Sequence, residues 1–130
     1  MAGNEDAIRD MLQRFAHAFT TGDGAGAAAC WQVPALVVSA EGNRAVASLE
    51  EVGAFFGGAR AQYNAQGVTG TRVDVQRIAW HTPALASVTV RWPYLDGEGR
   101  EVGRSEASCY VVHVAGDDAK ISVAILLGEA

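Results

Sequence analysis

Cysteine, lysine, histidine and long apolar runs are all scarce in this chain, and each scarcity excludes something. Two of the 130 residues are cysteine, Cys30 and Cys109, without metal-ligand spacing. They read as small buried apolar residues, because the start Met-Ala-Gly-Asn-Glu-Asp has no apolar secretory segment and the expected location is the cytoplasm. Lys120 is the single lysine among ten basic residues; fifteen acidic ones bring the net charge to −5. With no basic cluster to meet a phosphate backbone, nucleic acid is not an expected partner. Nor is a membrane, since no apolar stretch approaches the ~18 residues a span requires.

The three histidines offer no metal pair. His17 lies about 200° around a helix from Phe15, His81 sits in a turn, and His113 alternates with Val112 and Val114 on the far face of a strand. No metal or organic cofactor is expected, and no histidine is placed to activate a hydroxyl.

What is present is apolar material, unevenly distributed. At 49% hydrophobic and 19% charged, the chain is too apolar for disorder, and its length suits one domain spanning residues 1–130. Sixteen of the 24 alanines fall at or before residue 65, and ten of the 15 valines after it. Helices are expected first and strands second, an α+β order.

Ile8, Met11, Leu12, Phe15 and Phe19 follow the 3.6-residue period; Asn4 can cap their helix and Gly22 stop it. Asp23 can cap a short Ala-rich helix through Cys30 and Trp31. Pro34 and the run Ala35 to Ser39 predict a strand ended by a turn at Glu41-Gly42-Asn43. Ser48 and Glu51 form a capping box ahead of Val52, Phe55, Phe56, Ala59 and Tyr63, and Gly67 closes that helix. Within it Gly53, Gly57 and Gly58 each cost about 1 kcal/mol against Ala, which calls for a close approach of another element or a bend. Period-two runs at 71–75, 86–92, 108–114 and 121–127, with short connectors, predict an antiparallel meander.

This order resembles the NTF2-like cone fold, and within it the ketosteroid isomerase-like or SnoaL-like group. The resemblance rests on Gln13-Arg14-Phe15, Thr21-Gly22-Asp23, the segment Ala35 to Phe56, and Leu126-Leu127-Gly128-Glu129. It implies helices packed on a curved antiparallel sheet around a pocket. In the isomerase branch a carboxylate abstracts a proton beside a carbonyl, while a Tyr and a protonated Asp hold the enolate oxygen. By resemblance those positions are here Ser39, Phe15 and Tyr110, and a supporting Tyr becomes Phe56. Isomerisation by that mechanism is therefore not expected.

By the same resemblance the pocket is lined by Phe15, Phe19, Phe55, Phe56, Val88, Val90, Trp92, Val112 and Ile125, which makes a small hydrophobic molecule the expected ligand. Strand alternation also turns Val123 and Leu127 inward, while Trp31 and Trp80 read as packing residues. In an unbroken strand Glu106 shares the face of Ser108 and Tyr110 and could be an acid or base at the pocket mouth. Alternatively it forms a solvated charge pair with Arg91 or Arg104, or a bulge near Gly103 turns it outward. A second expectation is thus an isomerase-, dehydratase- or cyclase-type enzyme, with Tyr110 as proton donor and Glu106 or Ser39 in place of the missing Asp. A third is a non-catalytic association domain. The outer sheet face, read as Ser87, Thr89, Arg91, Ala107, Cys109, Val111, His113, Ser122, Ala124 and Leu126, is apolar enough to expect a homodimer.

Overall fold

The computed structural model describes residues 3–129; positions 57, 59 and 60 are described in backbone only, so the sequence readings at Gly57 and Ala59 lie outside the described residues. Three helices precede most of the strands: α1 (Glu5–Thr21), α2 (Gly24–Ala28) and α3 (Leu49–Ala65). Their ends follow local hydrogen bonding. Asn4 accepts from the Ala7 N–H, Asp23 from Gly26 and Ser48 from Glu51, while Gly22 takes the left-handed conformation at φ 75° that ends α1. The Glu51 carboxylate turns back to the Ala47 N–H at 3.4 Å, completing a box around the start of α3.

The strands are β1 (Trp31–Ser39), β2 (Gly42–Val46), β3 (Gly70–Thr71), β4 (Asp74–Thr82), β5 (Leu85–Leu95), β6 (Glu101–Ala115) and β7 (Asp118–Glu129). They form one sheet in the order β2-β1-β7-β6-β5-β3, with β4 also paired to β5. The β4 to β7 meander is antiparallel, but β1 lies parallel to β7, so the sheet is mixed. Two local readings are corrected. Trp31 opens β1 instead of ending α2, and although a turn at Ala40-Glu41 ends β1 after Ser39, Gly42 and Asn43 already belong to β2, the second arm of a hairpin. The second strand escaped notice because Gly-Asn-Arg-Ala-Val has almost no apolar alternation; four of its five residues are exposed.

The third correction is one of parity. Val111 faces Val123 and Val112 faces Ile121, so Ser122 is an extra residue in β7. This bulge shifts the side chains from Val123 to Leu126 to the opposite sheet face, until a second irregularity at Leu127 restores the parity. Ala119, Ile121, Ala124 and Leu126 point inward, whereas Val123 and Ile125 point out, opposite to the reading from unbroken alternation.

The inner face of the sheet carries Ala86, Val88, Val90, Val112 and Ile121, which form one packed cluster with Ile8, Met11 and Leu12 of α1. Gly53 of α3 lies against Gly24 of α2. A Cβ added at Gly53 would come within 3.2 Å of the Gly24 carbonyl oxygen, so this glycine serves a close backbone approach; a Cβ at Gly58 would meet nothing within 4 Å.

Candidate functional site

Between α1, α3 and the end of the sheet away from the Ile8 cluster lies a cavity of about 230 Å³. Its walls are mainly aromatic. Phe15 is the hub, meeting Phe56 at 5.0 Å between ring centroids, Trp92 at 5.7 Å, Trp31 at 6.2 Å and Tyr110 at 6.4 Å, all edge to face. The Trp31 indole N–H is buried among these rings with no hydrogen-bond partner among the described residues.

Two polar regions of the wall are hydrogen-bonded between side chains. In the first, the Trp92 Nε1–H donates to the Tyr110 hydroxyl at 3.0 Å, next to Ser108. Burial pushes the Tyr110 phenol up to about 12, with the hydrogen bonds to Ser108 and Trp92 pulling the other way and the Glu106 charge adding to the rise. In the second, Glu106 accepts a 2.8 Å hydrogen bond from the Tyr63 hydroxyl. Burial raises the Tyr63 phenol above its ordinary range; its hydrogen bond with Tyr94 opposes this, and Glu106 reinforces it. Tyr94, 5% exposed, is raised further still, first by burial and then by hydrogen bonds and charge from Glu106 and Tyr63. All three tyrosines of the chain line this one cavity.

Strand pairing explains why Glu106 faces inward. Trp92 lies directly across from Glu106, Val90 from Ser108 and Val88 from Tyr110, so the three β6 residues share the inner face. The irregularity in that hairpin lies beyond Glu106, where residues 102–104 stand against Tyr94 alone, and Gly103 takes a positive φ of 82° within it, so it leaves Glu106 facing inward. Arg91 pairs instead with Asp74 and Glu101, and Arg104 with Glu129.

Of the residues expected at the pocket, the structure places Phe15, Phe19, Phe55, Phe56, Trp92, Tyr110 and Glu106 on the cavity wall. Val88, Val90 and Val112 are elsewhere, fully buried in the cluster beneath α1, because the helix covers that part of the sheet completely. Ile125 is displaced to the outer face by the Ser122 bulge, and Ala124 and Leu126 take its place. Ser39 does not reach the wall. Its hydroxyl donates to the Glu41 carboxylate at 3.0 Å in the β1–β2 hairpin, away from Tyr110 and Glu106.

Tyr63 was missed as a partner of Glu106 because the two are separated by 43 residues, and its helical period marks it only as core-facing. Trp31 reads as packing from sequence, yet it is part of the wall. Neither carries a local signal for this role. Among the described residues no cluster of three or more His, Cys, Asp or Glu could hold a metal ion, and no helix is long and apolar enough to cross a membrane. His17 is exposed, and His81 and His113 bond to Ser87 and Ser122.

What this arrangement offers chemically is a carboxylate held by a phenol and a second phenol held by an indole, both opening on an aromatic chamber. A family model described as NTF2-like protein (DUF6841) matches residues 4–128. No curated protein matches the chain. Among solved structures, a domain of unknown function with a cystatin-like fold from Nostoc punctiforme is 24% identical, with a TM-score of 0.70 over 95% of this chain and 75% of that one. A putative scytalone dehydratase from Novosphingobium aromaticivorans is 13% identical, with a TM-score of 0.65 over 92% of this chain and 80% of that one. A ketosteroid isomerase-like protein from Erwinia carotovora atroseptica is 10% identical, with a TM-score of 0.62 over 96% and 98%. At such identities the likeness is one of fold.

Proposed function

The chain belongs to the NTF2-like family described as DUF6841, and on that footing we propose that it binds a small, mainly apolar molecule in the chamber around Phe15. The observation that carries this reading is the chamber itself: aromatic rings meeting edge to face, with a few polar and charged side chains on a mainly apolar wall. That is the composition of a small-molecule site, and its volume, below the ~300–1,000 Å³ of drug-sized sites, suits a ligand of one or two rings. Titration with 1-indanone, followed through the indole N–H resonances, tests it. Trp31 and Trp92 should shift while Trp80, outside the chamber, stays. The variant Phe56→Trp, which fills the chamber, should abolish the shifts. Wild-type spectra unchanged at millimolar indanone would overturn the reading.

One observation favours a second reading, proton-transfer catalysis of the isomerase or dehydratase type. Glu106 and Tyr110 line the same chamber, the first able to take a proton and the second able to donate a hydrogen bond to a developing oxyanion. Ser39 has no part in this version. Deuterium exchange at the carbon beside the indanone carbonyl, accelerated by wild-type protein and not by Glu106→Gln, is its expected signature.

The outer sheet face is proposed to pair two copies of the chain. With parity corrected, its rows are Leu36, Val123, Val111 and Ser87, then Val38, Ile125, Cys109 and Thr89. This is more apolar than the sequence reading, since Val123 and Ile125 replace Ala124 and Leu126. Sedimentation should give a dimer at micromolar concentration; a monomer would defeat the proposal.

A further inference from the structure

Three charged side chains reach the cavity wall: Arg44, Glu51 and Glu106. Both carboxylates are engaged, Glu106 by the Tyr63 hydroxyl and Glu51 by the Ala47 N–H. Arg44 differs. Its guanidinium lies over the Phe55 ring, 5.9 Å from the centroid, and has no carboxylate partner among the described residues. Phe55 is itself 42% exposed, so the pair stands where the chamber meets solvent. Arg9, Arg72, Arg91, Arg100 and Arg104 are each paired with a carboxylate; Arg14 and Arg77, like Arg44, are in no ion pair among the described residues, but of the three only Arg44 is on the cavity wall.

We propose that the ligand is a carboxylic acid, its carboxylate held at the mouth by Arg44 and its far end donating a hydrogen bond to Glu106. The inference rests on the reading of the chamber as a ligand site and adds the ligand's polarity and orientation. A guanidinium held over an aromatic ring, with no carboxylate partner of its own, keeps N–H donors for a planar, two-point contact with a carboxylate. The same carboxylate is repelled from the opposite end, where it would face Glu106. Glu51 also stands at the mouth, but its carboxylate is turned to the backbone at the start of α3. Phe55 and Tyr63 mark the two ends along α3, separated by about 12 Å of helix rise. A single ring extended by a short acid arm, with a hydroxyl opposite, has the length and polarity to connect them.

Isothermal titration at low salt with three probes tests this: 4-hydroxycinnamate, its methyl ester, and cinnamate. Wild-type protein should bind 4-hydroxycinnamate about tenfold more tightly than the ester, a difference that added salt reduces. Arg44→Gln should bring the ratio close to one by weakening acid binding far more than ester binding, and Arg44→Lys should restore part of it. Removal of the hydroxyl, as in cinnamate, should weaken wild-type binding several-fold and leave Glu106→Gln indifferent. If the ester binds but the acid has no advantage, or Arg44→Gln keeps it, the mouth assignment fails and the chamber reading stands. If Glu106→Gln still prefers the hydroxyl, the Glu106 assignment fails. Failure of all three probes to bind wild-type protein would remove the inference and the chamber reading together.

Discussion

The Tyr63 hydroxyl donates a 2.8 Å hydrogen bond to the Glu106 carboxylate, joining the last part of α3 to the sheet across the end of the chamber. The same Tyr63 ring packs on Phe19 at 5.7 Å and on Tyr94 at 5.2 Å. One side chain thus fixes the helix that roofs the cavity and orients the carboxylate inside it.

Tyr63→Phe should therefore act on both stability and site. A hydrogen bond to a charged acceptor is worth about 1.5–3 kcal/mol, and partial exposure reduces this, so the expected loss is about 1 kcal/mol in chemical denaturation. The Tyr94 side-chain resonances should move as well, since Glu106 is released. A variant as stable as wild type with an unshifted Tyr94 would show that the bond has no structural role.

Phenol ionisation gives a second check, because the chain's three tyrosines are Tyr63, Tyr94 and Tyr110 and all three are raised. A phenol whose folded pKa lies above its unfolded value of about 10 stabilises the fold fully below pH 10, and that contribution is lost as pH climbs through the folded value. Tyrosinate absorbance should be half developed near pH 10 in denatured chain and almost absent there in native protein. Unfolding free energy should decline from about pH 10 upward, through the region near 12 where Tyr110 titrates. Native absorbance tracking the denatured curve would refute this.

The Ser122 bulge predicts opposite outcomes at adjacent positions. Ala124 is buried on the cavity wall, so Ala124→Leu should reduce the chamber volume, weaken indanone binding and cost about 1–3 kcal/mol through overpacking. Ile125→Ser changes the outer face and should leave indanone affinity unaltered. The reverse pattern would mean that alternation runs unbroken through β7.

Two glycines of α3 also separate. Gly58→Ala meets open space and should gain about 0.5–1 kcal/mol of stability from helix propensity. Gly53→Ala should gain nothing or destabilise, since its new methyl presses on the Gly24 carbonyl. Thermal melts of the two variants decide the matter.

Phe15→Ala should be the most damaging of these changes, at about 3–5 kcal/mol, because a buried ring is removed and four aromatic neighbours lose their common contact. Phe55→Ala, at the exposed mouth, should cost less than 1 kcal/mol in denaturation.

The sequence by itself determined the features whose physics is local. Asn4, Gly22, Asp23 and the Ser48–Glu51 pair bond to backbone groups within a few residues, so the three helix starts and the end of α1 could be read directly. The inward side of α1, with Phe15 at its centre, followed from period alone, as did the α+β order and the antiparallel meander. Resemblance then supplied the chamber and placed Phe56, Trp92 and Tyr110 near it.

Tertiary structure decided the rest. One inserted residue, Ser122, reversed the parity of β7 from Val123 to Leu126 and exchanged Ile125 for Ala124 at the wall; a bulge exists only relative to a partner strand, so no periodicity within β7 could announce it. The cover of α1 buried Val88, Val90 and Val112 completely. The hairpin after Ser39 took that hydroxyl to Glu41, and the fold brought Tyr63 to Glu106. These are relations between segments far apart in the chain, created when surfaces pack, and the residues concerned carry no mark of them in isolation.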